Sequence, residues 1–137
     1  MSLFNIFGVA GSGMAAQTIR LNTTASNLAN AETVSGSAET TYRTKQPVFE
    51  AMMNDMLSQD QGQGVQVSQI VESDAAPVQR YEPAHPLANP EGYIYQANVN
   101  TVEEMANMMS ASRHYQTNVE VVNTSKQMLL NTLRLGQ

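Results

Sequence analysis

Between Thr101 and Leu135 the chain carries a long three-four alternation through Met105, Met108, Ser112, Tyr115, Val119, Val122, Lys126, Leu129 and Leu133. Mostly apolar side chains at that spacing form the seam of a helix that lies along another helix. Thr101 and Glu104 stand at capping-box spacing, which predicts a start near Val102, and Gly136 stands where a helix stop is expected. Such a helix is about 50 Å long at about 1.5 Å per residue, so it needs a long partner.

The partner is predicted at the other end of the chain. Phe4, Phe7, Gly11, Met14, Thr18, Leu21, Ala25 and Leu28 keep the same alternation. Gly8, Gly11 and Gly13 each cost a helix about 1 kcal/mol relative to alanine, so the helix is predicted firm only from about Met14 to Asn30. The glycines suit close helix approach; a phosphate-binding loop would need a following Lys-Ser/Thr pair, which is missing.

From Glu32 to Asn100 the helical period fades and glycines and prolines punctuate the sequence. Tyr42–Phe49, Val65–Val71, Val78–Tyr81 and Tyr93–Val99 read as strands, Glu50–Leu57 as a helical turn or two, and 59–66 as a flexible Gln/Gly loop. The expected fold is mainly α with a small β-rich insert. Long N- and C-terminal helices (1–31 and 101–137) pair as an antiparallel coiled coil, with the short strands of 32–100 between them.

Composition changes this picture in one respect. Only 14% of the 137 residues are charged, against about 25% in a typical soluble domain. Arg20 is the only charged side chain from Met1 to Ala31, and the positions expected to face outward are Asn5, Gln17, Asn22, Thr23, Thr24, Ser26 and Asn27. A neutral amide and hydroxyl face suits contact with other subunits better than it suits open solvent. The net charge of -5 argues against nucleic acid or an anionic membrane as partner. No apolar run approaches a membrane span, and Met1–Gly13 does not resemble a cleaved secretory signal peptide, so composition alone points to the cytoplasm.

The search for chemistry returns little. With no cysteine there is neither a disulfide framework nor a thiolate site. His85 and His114 lack a second ligand at metal spacing. Ser110, Ser112 and His114 point to different sides of one helix, and Glu103 and Glu104 belong to a first helical turn, where negative charge is favourable. No catalytic constellation, metal or cofactor is therefore expected. Met105, Met108, Met109 and Met128 suit either a pliable binding surface or, as is commoner at this spacing, ordinary seam filling; both readings mean contact with a helix.

The run Ala25-Ser26-Asn27-Leu28-Ala29-Asn30-Ala31-Glu32-Thr33 resembles the signature of bacterial flagellar rod and hook proteins. Leu3–Phe7, Tyr42–Gln46, Met109–Glu120 and Leu133–Gln137 extend the resemblance to the proximal-rod members of that family. The family often continues its box with Thr-Gly-Tyr, whereas here Gly36 is followed by Ser37 and the aromatic residue appears at Tyr42.

The resemblance implies a structural subunit exported by the flagellar type III apparatus without a cleaved signal peptide. Such subunits stack with copies of themselves and other rod proteins into a torque-transmitting shaft across the periplasm. The seams and the asparagine box then nominate Met14, Leu21, Ala25, Asn27, Leu28, Asn30, Met105, Met108, Tyr115, Val119, Val122, Leu129 and Leu133 as assembly residues. Phe49, followed four residues on by Met53, resembles the family's export signal. The competing expectation is a small helical-hairpin adaptor or chaperone for client helices, whose exposed faces should carry more charge.

Overall fold

A computed structural model of the chain describes residues 3–52 and 63–135. Two long helices bracket five short strands: α1 (Leu3–Ala29), β1 (Val34–Ser35), β2 (Lys45–Ala51), β3 (Val65–Glu72), β4 (Val78–Tyr81), β5 (Tyr93–Gln96) and α2 (Thr101–Leu135).

α1 begins well before Met14 and runs through all three glycines. Packing against α2 offsets their cost: Ala10, within the glycine-rich turns, is buried. A Cβ on Gly13 would lie 2.8 Å from Nδ2 of Asn118, so the two backbones come close there, whereas Gly8 and Gly11 face open space. Close approach therefore explains Gly13 and not the other two. Thr18 and Thr23 keep their hydroxyls bonded inside the helix, to the carbonyls of Met14 and Ile19.

The start of α2 also differs from expectation. Asn100, not Thr101, caps it: its Oδ1 accepts from the backbone N–H of Val102 (3.2 Å) and Glu103 (3.3 Å), while its carbonyl accepts from Glu104 N–H. Asparagine is among the strongest capping residues, and here it outcompetes the adjacent threonine. Glu104 is thereby free of a capping role and its side chain is buried. The expected stop at Gly136 lies outside the described residues.

The helices lie side by side, and contact positions fall along α2 as they rise along α1. Ile6, Val9 and Ala10 share a groove with Asn118 and Val121, Gly13 meets Asn118, and Arg20 bonds to Asn107 at 2.9 Å. The face that α2 buries is rotated from the expected seam. It centres on Glu104, Ala111 and Ser125, while Met105, Tyr115 and Leu133 of that seam are exposed. On α1 the buried positions are Ala10, Ala16, Thr23, Thr24 and Asn27, so three residues expected to face outward are inside. Small side chains win these places because they let the two backbones approach.

Between the helices β1, β5 and β4 form an antiparallel sheet in that order, with Val34 opposite Gln96 and Gln79 opposite Tyr95. β1 is a strand of two residues that periodicity cannot detect. Ile94 of β5, 2% exposed, is the largest apolar side chain fully inside the described molecule. Tyr81 and Tyr93 pack edge to face across β4 and β5.

β2 and β3 make a separate hairpin with a bulge at Val48/Phe49. Glu50 and Ala51 are strand, not helix, and Met53–Leu57 lie outside the described residues, as does 59–62 of the Gln/Gly loop. Thr44 accepts from Ser73 N–H, so the alternation of ladder bonds turns the nitrogen of Pro47 away from β3, where its missing N–H costs nothing. The hairpin is tied to α1 through Ser12, whose Oγ accepts from Val65 N–H at 3.1 Å. Gly64 fits against that hydroxyl, where a Cβ would come within 2.8 Å.

Candidate assembly interface

The asparagine box ends α1 and ties it to β2. Asn27 is 1% exposed, and its amide pairs with Lys45 as a neighbouring strand would: Nδ2 donates to the Lys45 carbonyl (2.8 Å) and Oδ1 accepts from Lys45 N–H (2.9 Å). The Tyr42 hydroxyl donates to the same Oδ1 at 2.8 Å. Asn30 donates from Nδ2 to the Ser26 carbonyl, and Thr33 returns both its N–H and its hydroxyl to the Asn30 carbonyl. These bonds satisfy the carbonyls that a helix end leaves open. The aromatic residue that the signature moves to Tyr42 thus serves the box from outside it.

Beside this clasp, Arg20, Lys45, Phe49, Glu103, Glu104 and Asn107 line a polar notch of about 420 Å³ where α1, β2 and α2 converge. Arg20, the lone charge of α1, donates from its guanidinium to Oδ1 of Asn107 inside it. Sequence reasoning missed this partnership, although an isolated arginine in a neutral helix was a signal that it had a specific partner. Lys45 also reaches Glu72 at 3.7 Å and lies over the Tyr42 ring.

The nominated assembly residues are spread around both helices. Met14, Leu21, Leu28, Asn30, Met108, Val119, Val122 and Leu129 are half-buried, Asn27 is buried, and Ala25, Met105, Tyr115 and Leu133 are exposed. Phe49 is also exposed, while Met53 lies outside the described residues. α2 leaves several large apolar side chains uncovered among its polar ones: Val102 is 74%, Met105 55%, Met109 59% and Leu133 62% exposed. Ala106, Met109, Ser110, Arg113 and His114 line a shallow groove of about 340 Å³ on it.

Among the described residues no group of three or more His, Cys, Asp or Glu could hold a metal ion, and no helix is long and apolar enough to cross a membrane. The arrangement of the described residues brings together surfaces suited to contact.

Comparison with known proteins agrees with that arrangement. The family model described as "Flagella basal body rod protein" matches residues 7–36, and "Flagellar basal body rod FlgEFG protein C-terminal" matches 91–135. Flagellar basal-body rod protein FlgC of Salmonella typhimurium is 51% identical over 137 residues, covering both chains completely. Its Escherichia coli O157:H7 counterpart is 52% identical over the same span. That of Borreliella burgdorferi is 37% identical over 152 aligned residues, covering 100% of the chain and 99% of the relative.

Proposed function

This chain belongs to the FlgC family of flagellar basal-body rod proteins, and from that premise we propose that it assembles through the apolar outer face of its helix pair. It is a structural subunit of the rod, not an enzyme, and works in contact with other rod proteins. The observation that carries the assembly reading is the row of large apolar side chains that α2 leaves uncovered, from Val102 to Leu133. An isolated soluble helix pair would turn such residues inward. The nominated assembly residues divide accordingly: the exposed ones contact neighbours, and Asn27 and Asn30 hold the shape of that surface from behind.

In this reading residues 1–31 and 101–137 form the terminal-helix unit, pairing as an antiparallel coiled coil, and residues 32–100 form an insert that projects from it. Packed among copies and other rod proteins, the helices carry torque through many small contacts along a shaft that crosses the periplasm in the proximal rod. The family resemblance further supports delivery by the flagellar type III export apparatus without cleavage of a leader, with Phe49 and Met53 as the recognised pair. No cofactor enters this function. The adaptor reading is less well supported, because a chaperone surface must stay soluble when empty and this one has few charges to keep it so.

Assembly is tested with Leu129→Asp, which puts a carboxylate where an apolar contact is expected. The variant protein should be synthesised and secreted normally while basal bodies lack rods. Complete rods and normal swimming would remove the reading. Export is tested separately: Phe49→Ala should lower the secreted amount at unchanged synthesis, and equal secretion would leave Phe49 as a wall of the notch only.

A further inference from the structure

The polar notch between α1, β2 and α2 holds two buried groups that nothing in the described molecule satisfies. Glu104 is 5% exposed, yet its carboxylate makes no hydrogen bond or ion pair among the described residues. Thr24, 4% exposed on the α1 wall, has a hydroxyl in the same state, whereas its neighbour Thr23 turns its own back onto the helix. Neither group is sealed in. Among the described residues, Oε1 of Gln17 is the only partnerless side-chain polar atom cut off from solvent altogether, so the oxygens of Glu104 and Thr24 open into the notch they line. Charges taken out of water are paired or bind metals in folded proteins, because the lost hydration is otherwise not recovered. The described residues offer no metal-binding group, which leaves an organic cation as the missing partner.

Two cations of the chain line the same notch, but each is turned elsewhere. Arg20 donates to Oδ1 of Asn107, and Lys45 reaches Glu72 at 3.7 Å and lies over the Tyr42 ring. With Glu72 counted beside its partner, two cations stand against three carboxylates, Glu72, Glu103 and Glu104, so the notch is short of one positive charge. Phe49, 40% exposed, presents an aromatic ring at the same opening. A guanidinium suits this set better than an ammonium does: it is flat, stacks on an aromatic face, and divides its donors between two carboxylates. A space of about 420 Å³ has room for a whole arginine side chain.

We propose that the notch is a socket for one arginine side chain of an adjoining rod subunit, whose guanidinium lies along Phe49 and donates to Glu104 and Glu103. The inference rests on the rod-subunit reading, since the donor comes from a neighbour, and it adds a polar, charge-specific contact to the apolar one. Apolar contacts tolerate sliding, whereas a single cation entering a single notch fixes the position of one subunit on the next.

Glu104→Gln keeps the shape of the side chain and removes its charge. In the purified full chain the denaturant midpoint of this variant should stay or rise, because the carboxylate has no partner to lose. In cells the number of complete rods should fall by about tenfold, the scale of one charge-assisted hydrogen bond. A lowered midpoint would mean that the carboxylate is already held within the chain, and an intact midpoint with normal rods would mean that no cation arrives; either overturns the socket. The donor is identified by placing a photoreactive benzophenone amino acid at Gln46, an exposed residue on the rim of the notch, and irradiating isolated basal bodies. An adduct between subunits is expected, and mass spectrometry should find arginine in the joined peptide. A cross-link within one chain, no cross-link, or a joined peptide without arginine overturns the proposal while the rod reading stands. If the unsubstituted protein is absent from basal bodies, both fall.

Discussion

The two faces of α2 invert the usual division between inside and outside. Inward, against α1, lie Glu104, Ala111 and Ser125, each 5% exposed or less. Outward lie Val102, Met105 and Met109, each more than half exposed. Burying apolar area yields about 25 cal/mol per Å², and the inward face, built of small and polar groups, uses little of it. What that face gains is proximity, seen where Gly13 meets Asn118. Large apolar side chains are meanwhile left uncovered on α2. On the assembly proposed above, the core is completed only in the rod, and the single chain is one piece of it.

If this division is right, substitutions on the two faces should separate stability from assembly. The largest effect on stability is expected at Ala111, which is 0% exposed. Ala111→Leu should lower the unfolding free energy of the purified protein by about 3 kcal/mol, because the facing backbone cannot retreat without losing its own contacts. Denaturant titration measures this; an unchanged midpoint would mean that the helices are not held together in the free chain.

Asn27→Ala comes next, with an expected loss of about 2 kcal/mol from an amide that makes three hydrogen bonds. Protection of the Lys45 amide in hydrogen exchange should fall along with it. A loss of protection confined to β2 would show that the clasp serves the hairpin alone.

The glycines offer a smaller test of opposite sign. Gly8→Ala and Gly11→Ala meet nothing within 4 Å and should each raise stability by about 0.5–1 kcal/mol through helix propensity. Gly13→Ala should not, since Asn118 stands in the way. Thermal melts of the three variants distinguish the positions.

The smallest stability effect belongs to the outer face. Met109→Ala should change the free chain by less than about 0.5 kcal/mol, yet reduce the fraction of cells with complete rods, counted by electron microscopy. A comparable loss in the free chain would place Met109 in an internal core.

The helices and most strands were legible because their signals are local. β4 occupies the predicted Val78–Tyr81 and α2 starts within a residue of its predicted position. Three features were illegible for different reasons. β1 has only two residues, and its strand character comes from pairing with β5 at the far end of the insert. The rotation of α2 escaped because periodicity assumes that the largest apolar residues face the nearest partner. Here the nearest partner selects Ala111 and Ser125 by size. Arg20 and Asn107 could not have been joined from spacing, since they lie 87 positions apart.

The pairing of Val34 with Gln96 and of Ser35 with Tyr95 closes the insert at its root, just where the chain leaves α1 and before it enters α2. Everything between is a loop whose ends are fixed by its own first and last strands. The cost of lengthening a loop already closed in this way rises slowly, by about 0.6 kcal/mol for each doubling. Segments can therefore be gained or lost inside the insert while the separation and axial register of the helices stay constant. In the proposed assembly, where the helix pair makes the contacts between subunits, a change inside the insert need not be matched by a change in every neighbour.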